Sequence, residues 1–342
     1  MGLACMLPTM GEFDLIARYF TRPATRAVLG VGDDCALLQP VPGTQLAIST
    51  DMLVEGRHFF ADVDPQALGH KSLAVNLSDL AACGARPLAF TLALSLPGIN
   101  EPWLAAFACG LLALADEHQC ELVGGDTTRG PLNICITVFG EVPAGGGGER
   151  RTQALLRSGA QVGDDIYVSG HLGDARLALE VLQGKVTLAQ DRLAQVRQRL
   201  EYPSPRVSLG LALRGVATSA IDISDGLSGD LGHILQASQV GAVLDTASLT
   251  GLVTSAEHFA AARTSPAQNT LHPLNYVMAG GDDYELAFTA PASARDAVSQ
   301  AARTSQTRVT RIGCIDSKPG LRLVDARGQP AEYTGTSFDH FA

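Results

Sequence analysis

The sequence predicts an α/β protein of the α+β type, built as two layered α/β domains. Three observations carry that expectation. Apolar runs of strand length alternate with helical periodicity in both halves of the chain. At 342 residues the chain is too long for one ordinary core. A glycine-rich, charged stretch, PAGGGGERRTQ, interrupts the pattern near the middle.

Taken in order, residues 12–20 (EFDLIARYF) place Phe13, Ile16, Ala17 and Phe20 on one helical stripe. Two strand-like runs follow, LGVGDDCALL and QLAISTD. From Pro65 to Gly84, Leu and Ala recur at helical spacing. FTLALSL (90–96) reads as a strand, and PWLAAFACGLLALADEHQC as a helix with Pro102 near its first turn. CELVGGD and NICITVFGEV read as strands. The first domain is therefore expected over 10–145, a connecting loop over 145–154 and the second domain over 155–342. The second half opens on the strand GDDIYVSG. It continues with helices near 174–184, 205–215, 226–238 and 292–303, and with strands SAIDIS, GAVLD, YELAFTA and TRIGCI. No short-period repeat is present.

Composition narrows the function. Hydrophobic residues make up 46% and charged residues 18%, as in a globular chain with a substantial core. The formal net charge is −10, which argues against nucleic acid and anionic membrane as partners. No run approaches the roughly 20 apolar residues of a membrane span. The opening MGLACMLPTM has neither a basic region nor a long apolar run, so no signal peptide is expected, and Met10 is an alternative start. Seven scattered cysteines without a CxxC pair read as reduced thiols of a cytoplasmic protein, not as a zinc site.

The informative pattern is a recurrence: an apolar run ends in a small residue and then an Asp. It appears in GVGDD (Asp33, Asp34), AISTD (Ser49, Thr50, Asp51), NLSD (Asp79), LVGGD (Gly125, Asp126), AIDISDG (Asp222, Ser224, Asp225) and AGGDDYE (Asp282, Asp283, Glu285). Magnesium takes oxygen ligands and keeps phosphates and waters in its shell, so carboxylates at strand ends are its natural protein partners. A neighbouring Gly or Ser lets a phosphate approach the backbone. An acidic chain that binds phosphates also needs cations between them. A single Asp after Gly is usually a turn residue or helix cap; six such loops in one chain point to metal-bridged phosphate chemistry. Neither a P-loop, nor a strand-linked GxGxxG, nor a protein-kinase motif set, nor an EF-hand loop is present.

In order along the chain, GVGDDCALL, AISTDMLVEGRHF, KSLAVNLSDLAACGARP, VGGDTTRG, LLRSGAQVGDDIYVSG, SAIDISDGLSGDLGHI and GGDDYEL resemble the thiamine-monophosphate kinases over nearly the whole length. The resemblance implies the wider fold family of aminoimidazole ribonucleotide synthetase and selenophosphate synthetase, with N-terminal domains pairing into a barrel across a homodimer. It implies transfer of the ATP γ-phosphoryl group to thiamine monophosphate, with several Mg2+ ions. By the same resemblance Asp34, Ser49, Thr50, Asp51, Asp79, Asp126, Asp222 and Asp225 are metal ligands. Gly125, Asp126, Arg157 and Ser224 contact ATP, and His58, Asp282 and Phe338 contact the substrate. Asp282 stands where relatives reading GGEDYEL carry Glu, one methylene longer. On residue types alone, Asp33 and Asp34 are alternatives for one ligand position. On that basis His58 and Arg157 read as surface residues and Phe338 as packing; only the resemblance raises them to contact residues. No residue is expected to act as acid or base. A synthetase of the same fold family with another acceptor would share the Asp loops.

Overall fold

A computed structural model describes residues 11–145, 152–254, 272–331 and 333. The chain divides into two compact units, one of Met1–Pro42, Ile48–Asn76 and Pro87–Glu141, the other of Gly43–Ala47, Leu77–Arg86 and Val142–Ala342. Most of the glycine-rich stretch of the expected connecting loop lies outside the described residues, as do residues 1–9 and Phe338.

The first unit starts with a short helix, α1 (Glu12–Leu15), which runs on as a π turn over Ile16–Phe20. Its sheet has the order β1-β4-β2-β3, from β1 (Thr44–Val54), β2 (Arg86–Leu96), β3 (Glu121–Arg129) and β4 (Asn133–Pro143). Strands β2 and β3 run parallel, joined through helix α3 (Glu101–Glu117), with a bulge in register between Phe90 and Thr91. Helix α3 begins where Asn100 caps the Trp103 amide through Oδ1 at 3.2 Å. Its Leu104, Phe107 and Leu111 are fully buried, each worth about 1.5–3 kcal/mol of transfer free energy. Helix α2 (Pro65–Ala82) approaches α3 at backbone distance. A Cβ on Gly69 would stand 2.0 Å from the Phe107 carbonyl oxygen, and one on Gly110 1.9 Å from that of Gln66.

One expected strand does not form. LGVGDDCALL makes only isolated bridges, Leu29 with Leu37 and Val31 with Asp33. The physical reason is local. Gly32 is in a left-handed conformation and the Asp34 amide donates to its neighbour's Asp33 Oδ1 at 2.8 Å, so the segment folds on itself instead of extending.

The second unit is a seven-stranded mixed sheet of order β11-β10-β7-β9-β5-β8-β6. Its strands are β5 (Asp164–Ser169), β6 (Ser219–Ile223), β7 (Gly241–Asp245), β8 (Glu285–Pro291), β9 (Val309–Asp316), β10 (Gly320–Val324) and β11 (Pro330–Ala331). Every residue of β5 and β6 is buried, including the polar Asp164, Asp165, Ser169, Ser219 and Asp222. Helices α4 (Asp174–Leu182), α5 (Gln190–Glu201), α6 (Val207–Leu213), α7 (Leu227–Ser238), α8 (Thr246–Thr250), α9 (Pro273–Ala279) and α10 (Arg295–Thr304) complete it. Leu172, Leu177, Leu231, Ile234, Val277 and Ala287 belong to one continuous core. Two buried carboxylates in this unit are neutralised by pairs of arginines: Asp165 by Arg295 and Arg311, and Glu285 by Arg199 and Arg206. Among the described residues no helix is long and apolar enough to cross a membrane.

Candidate functional site

In the first unit the site is built where Gly125 and Asp126, midway along β3, meet the turning 31–36 segment. Gly125 has φ +149°, and a Cβ there would stand 1.8 Å from the Leu92 carbonyl oxygen of the adjacent β2, so only glycine fits. That close approach leaves the backbone beside Asp126 bare. Asp33, Asp34, Gly125 and Asp126 line one cavity of about 610 Å3 together with the apolar side chains of Phe13, Ile16, Phe20, Leu92 and Leu122. The volume falls in the range of small-molecule sites, roughly 300–1,000 Å3. Both Asp33 and Asp34 face this cavity, but Asp33 is already engaged by the Asp34 amide.

Ser49, Thr50 and Asp51 sit side by side on β1 and do not line the cavity. The Thr50 hydroxyl shares a hydrogen bond with the Thr137 hydroxyl on β4 at 2.8 Å, and the Asp51 amide donates to Asn76 Oδ1 at 3.2 Å. Burial pushes the Cys135 thiol up, and the nearby Asp51 carboxylate adds to it. His58 closes a turn: its Nδ1 accepts the Val54 amide at 2.9 Å, so a neutral ring carries its proton on Nε2.

The second unit gathers the other half of the sequence-predicted set. Burial raises the pKa of the Cys83 thiol, the Asp79 and Asp222 carboxylates raise it further, and the Arg157 cation works against them. One half-buried thiol thus feels the charge of three of the expected site residues. Asp222 closes strand β6, and its Oδ2 accepts the Ser78 hydroxyl at 2.8 Å. The loop beyond it, Ser224–Gly226, is held from two sides. Asp230 Oδ2 accepts the amides of Ser224, Asp225 and Gly226, each at 3.1 Å. On the other side the Ser224 carbonyl accepts the Asp282 amide, and the Ile223 carbonyl the Tyr284 amide, both at 2.8 Å. Burial pushes Asp230 up to about 7 against the pull of the amides.

The GGDDYE motif splits by burial. Asp282 is half-buried at φ +65°, with Tyr284 at φ +50°, two left-handed non-glycine residues within three positions. The Tyr284 hydroxyl donates to Asp282 Oδ1 at 3.3 Å. Asp283 is buried, held above the usual carboxylate range by burial and by the Asp174 charge, and accepts the Gly173 amide. Glu285 is tied to its arginines and to the Ser169 hydroxyl. Of the three acidic residues only Asp282 is not fully buried. Arg157 is exposed, and its loop is pinned by Ser238 Oγ, which accepts the Gly159 and Ala160 amides at 3.1 Å.

Among the described residues no three His, Cys, Asp or Glu side chains gather tightly enough to cage a metal. The donors nevertheless suit magnesium. They are hard oxygens, mostly on strands and a helix, and that ion takes the rest of its shell from phosphates and water. Sequence reasoning missed Ser78, Asp230 and Ser238. Asp230 carried a legible signal, a carboxylate in the first turn of a helix; the partners of Ser78 and Ser238 are remote in sequence.

Residues 32–142 match the AIR synthase related protein, N-terminal domain family. The chain is 44% identical to the thiamine-monophosphate kinase of Salmonella typhimurium over 97% of its length and 98% of the relative's. It is similar to the crystal structure of thiamine-monophosphate kinase from Stenotrophomonas maltophilia K279a, with 44% identity, TM-score 0.78, and 93% and 95% of the two chains covered. A further solved structure, AaThiL complexed with AMPPCP and TMP, matches at 27% identity with TM-score 0.72, covering 98% and 99%.

Proposed function

This chain belongs to the thiamine-monophosphate kinase family, and from that premise we propose how its residues perform the transfer. It is a kinase, and its reaction is the ATP-dependent phosphorylation of thiamine monophosphate, yielding thiamine diphosphate and ADP. The observation that carries the residue-level reading is the cavity of the first unit, where apolar side chains suited to a nucleobase share the lining with Gly125, Asp126, Asp33 and Asp34.

Gly125 and Asp126 receive the nucleotide, the first by its bare backbone and the second by its charge. Asp34, Ser49, Thr50, Asp51 and Asp126 of the first unit and Asp79, Asp222 and Asp225 of the second hold magnesium. Held by these oxygens, magnesium would supply positive charge that offsets the charge of the phosphates. Arg157 adds a cation to the triphosphate and Ser224 a hydroxyl. His58, Asp282 and Phe338 contact the acceptor, with Phe338 outside the described residues. Asp282 reaches less far than Glu would, and the Tyr284 hydroxyl fixes where its carboxylate points. The acceptor phosphate is already anionic, so no side chain need remove a proton. Transfer is direct and in line, by positioning and charge neutralisation, without a phospho-enzyme.

The proposed partner is a second copy of the chain. Strand β1 lies at a sheet edge and in the first unit exposes Ile48 (60%) and Met52 (53%) on one face, apolar surface that pairing of two first units would cover. The six described cysteines are free, in keeping with a cytoplasmic enzyme.

The acceptor is tested by ADP release with thiamine monophosphate and with other phosphorylated acceptors, at fixed ATP and magnesium. ADP release with thiamine monophosphate, matched by thiamine diphosphate, is expected. Silence there with release on another acceptor would overturn the assignment in favour of a synthetase of the same fold family.

A further inference from the structure

We propose that Ser78 is a positioning residue of the reaction, one that sets the orientation of the Asp222 carboxylate for cation binding. The inference rests on the reading of Asp222 as a magnesium ligand.

Two serines of helix α2 make the argument by contrast. Ser72 Oγ donates to the Leu68 carbonyl one turn back, at 2.7 Å, which is the ordinary fate of a buried helical serine. Ser78 is fully buried on the same helix, yet its proton goes to Asp222 Oδ2 at 2.8 Å, 144 residues away in sequence. A hydroxyl has one proton to give. Spending it on a carboxylate makes a charge-assisted bond, stronger than the back-bond it forgoes. Both residues belong to the second unit, so the bond lies within one compact body.

The frame behind Ser78 is rigid. The Leu80 carbonyl accepts the Ala85 amide at 2.8 Å and the Cys83 carbonyl accepts the Leu155 amide at 3.0 Å, which ties down the end of the helix. Helix α6 packs against it so closely that a Cβ on Gly210 would stand 2.0 Å from the Ala81 carbonyl oxygen. Asp222 is itself fixed at the end of β6, paired with Leu286 on β8. The hydroxyl therefore holds the carboxylate from a fixed point, and Asp79, the next residue on the helix, is set by the same turn. A carboxylate offers about four lone-pair directions, so accepting one hydroxyl does not exhaust its capacity for a cation. Groups that hydrogen-bond a metal ligand typically contribute 10–100-fold to metal affinity.

The experiment is Mn2+ binding to the full chain, read from the electron paramagnetic resonance of free Mn2+ with AMPPCP present. Wild type is compared with Ser78→Ala, Ser78→Cys, Asp222→Asn and the Ser78→Ala/Asp222→Asn double variant. Ser78→Ala is expected to weaken one class of sites about 10–100-fold, with Ser78→Cys, a weaker donor, in between. The double variant should bind no more weakly than Asp222→Asn, because the serine acts through that carboxylate. Wild-type binding by Ser78→Ala beside weakened binding by Asp222→Asn overturns the role of Ser78 and leaves the metal reading standing. Wild-type binding by Asp222→Asn overturns the metal reading itself, and the role of Ser78 with it.

Discussion

Asp126→Asn and Asp222→Asn are each expected to lower turnover on the order of 10²-fold or more, by the magnitude seen when one electrostatic donor is removed from a transition state. The side chain keeps its shape and one oxygen. It loses the charge that attracts a cation and gains an amide group that repels one. The two positions differ in what else changes. Asp126 is exposed in the cavity of the first unit, so its replacement should leave stability within about 0.5 kcal/mol of wild type. Asp222 is buried and bonded to Ser78, so some stability is lost with turnover. Steady-state rates at limiting and saturating magnesium separate these effects. Near-normal turnover by both variants at limiting magnesium would refute the assigned roles.

Glu285→Ala is expected to cost the second unit about 3–5 kcal/mol, the usual penalty for leaving one member of a buried ion pair alone. The carboxylate is 1% exposed and accepts from Arg206 Nε at 2.6 Å, Arg199 Nη2 at 2.7 Å and Ser169 Oγ at 2.5 Å. Burial disfavours the Arg206 charge, but the bond and charge of Glu285 outweigh it and hold that guanidinium above its ordinary pKa. Removing the carboxylate strands two cations against the sheet. A unit of this size shifts its midpoint by roughly 2–4 °C per kcal/mol, so a fall of about 10 °C in the melting of the second unit is expected. Glu285→Gln should recover little, since it restores hydrogen-bonding shape but not charge. A midpoint within 2–3 °C of wild type for Glu285→Ala would show that the arginines find other partners.

These residues mark what the sequence made legible. Segments such as LVGGD and SAIDIS were readable because an apolar run of strand length leads into a small residue and an Asp; both form strands, although β3 runs on three residues past Asp126. LGVGDDCALL has the same surface pattern and forms no strand, because its backbone bonds locally around Gly32 and Asp33. Helix α5 is polar along most of its length and fully buries only Val196 and Leu200, so its helical apolar face, completed by Leu193, is narrow. The GGDDYE motif shows the limit most plainly. Asp282, Asp283 and Glu285 look equivalent in sequence, but the partners that bury Glu285 lie 79 and 86 residues away. Ser78 was invisible for the same reason, its carboxylate lying on a distant strand. Local grammar reveals which residues carry chemistry; which carboxylate is a ligand and which a structural counter-ion is decided by long-range packing.

The most direct test of the account is thiamine diphosphate formation from thiamine monophosphate and ATP, followed as free Mg2+ is titrated upward from excess chelator. The account predicts no product under chelation, full recovery on adding Mg2+, and a rate that keeps rising beyond the Mg2+ needed to saturate ATP, because the Asp loops hold ions of their own. A rate unaffected by chelator, or one that plateaus once ATP alone is saturated, would contradict it.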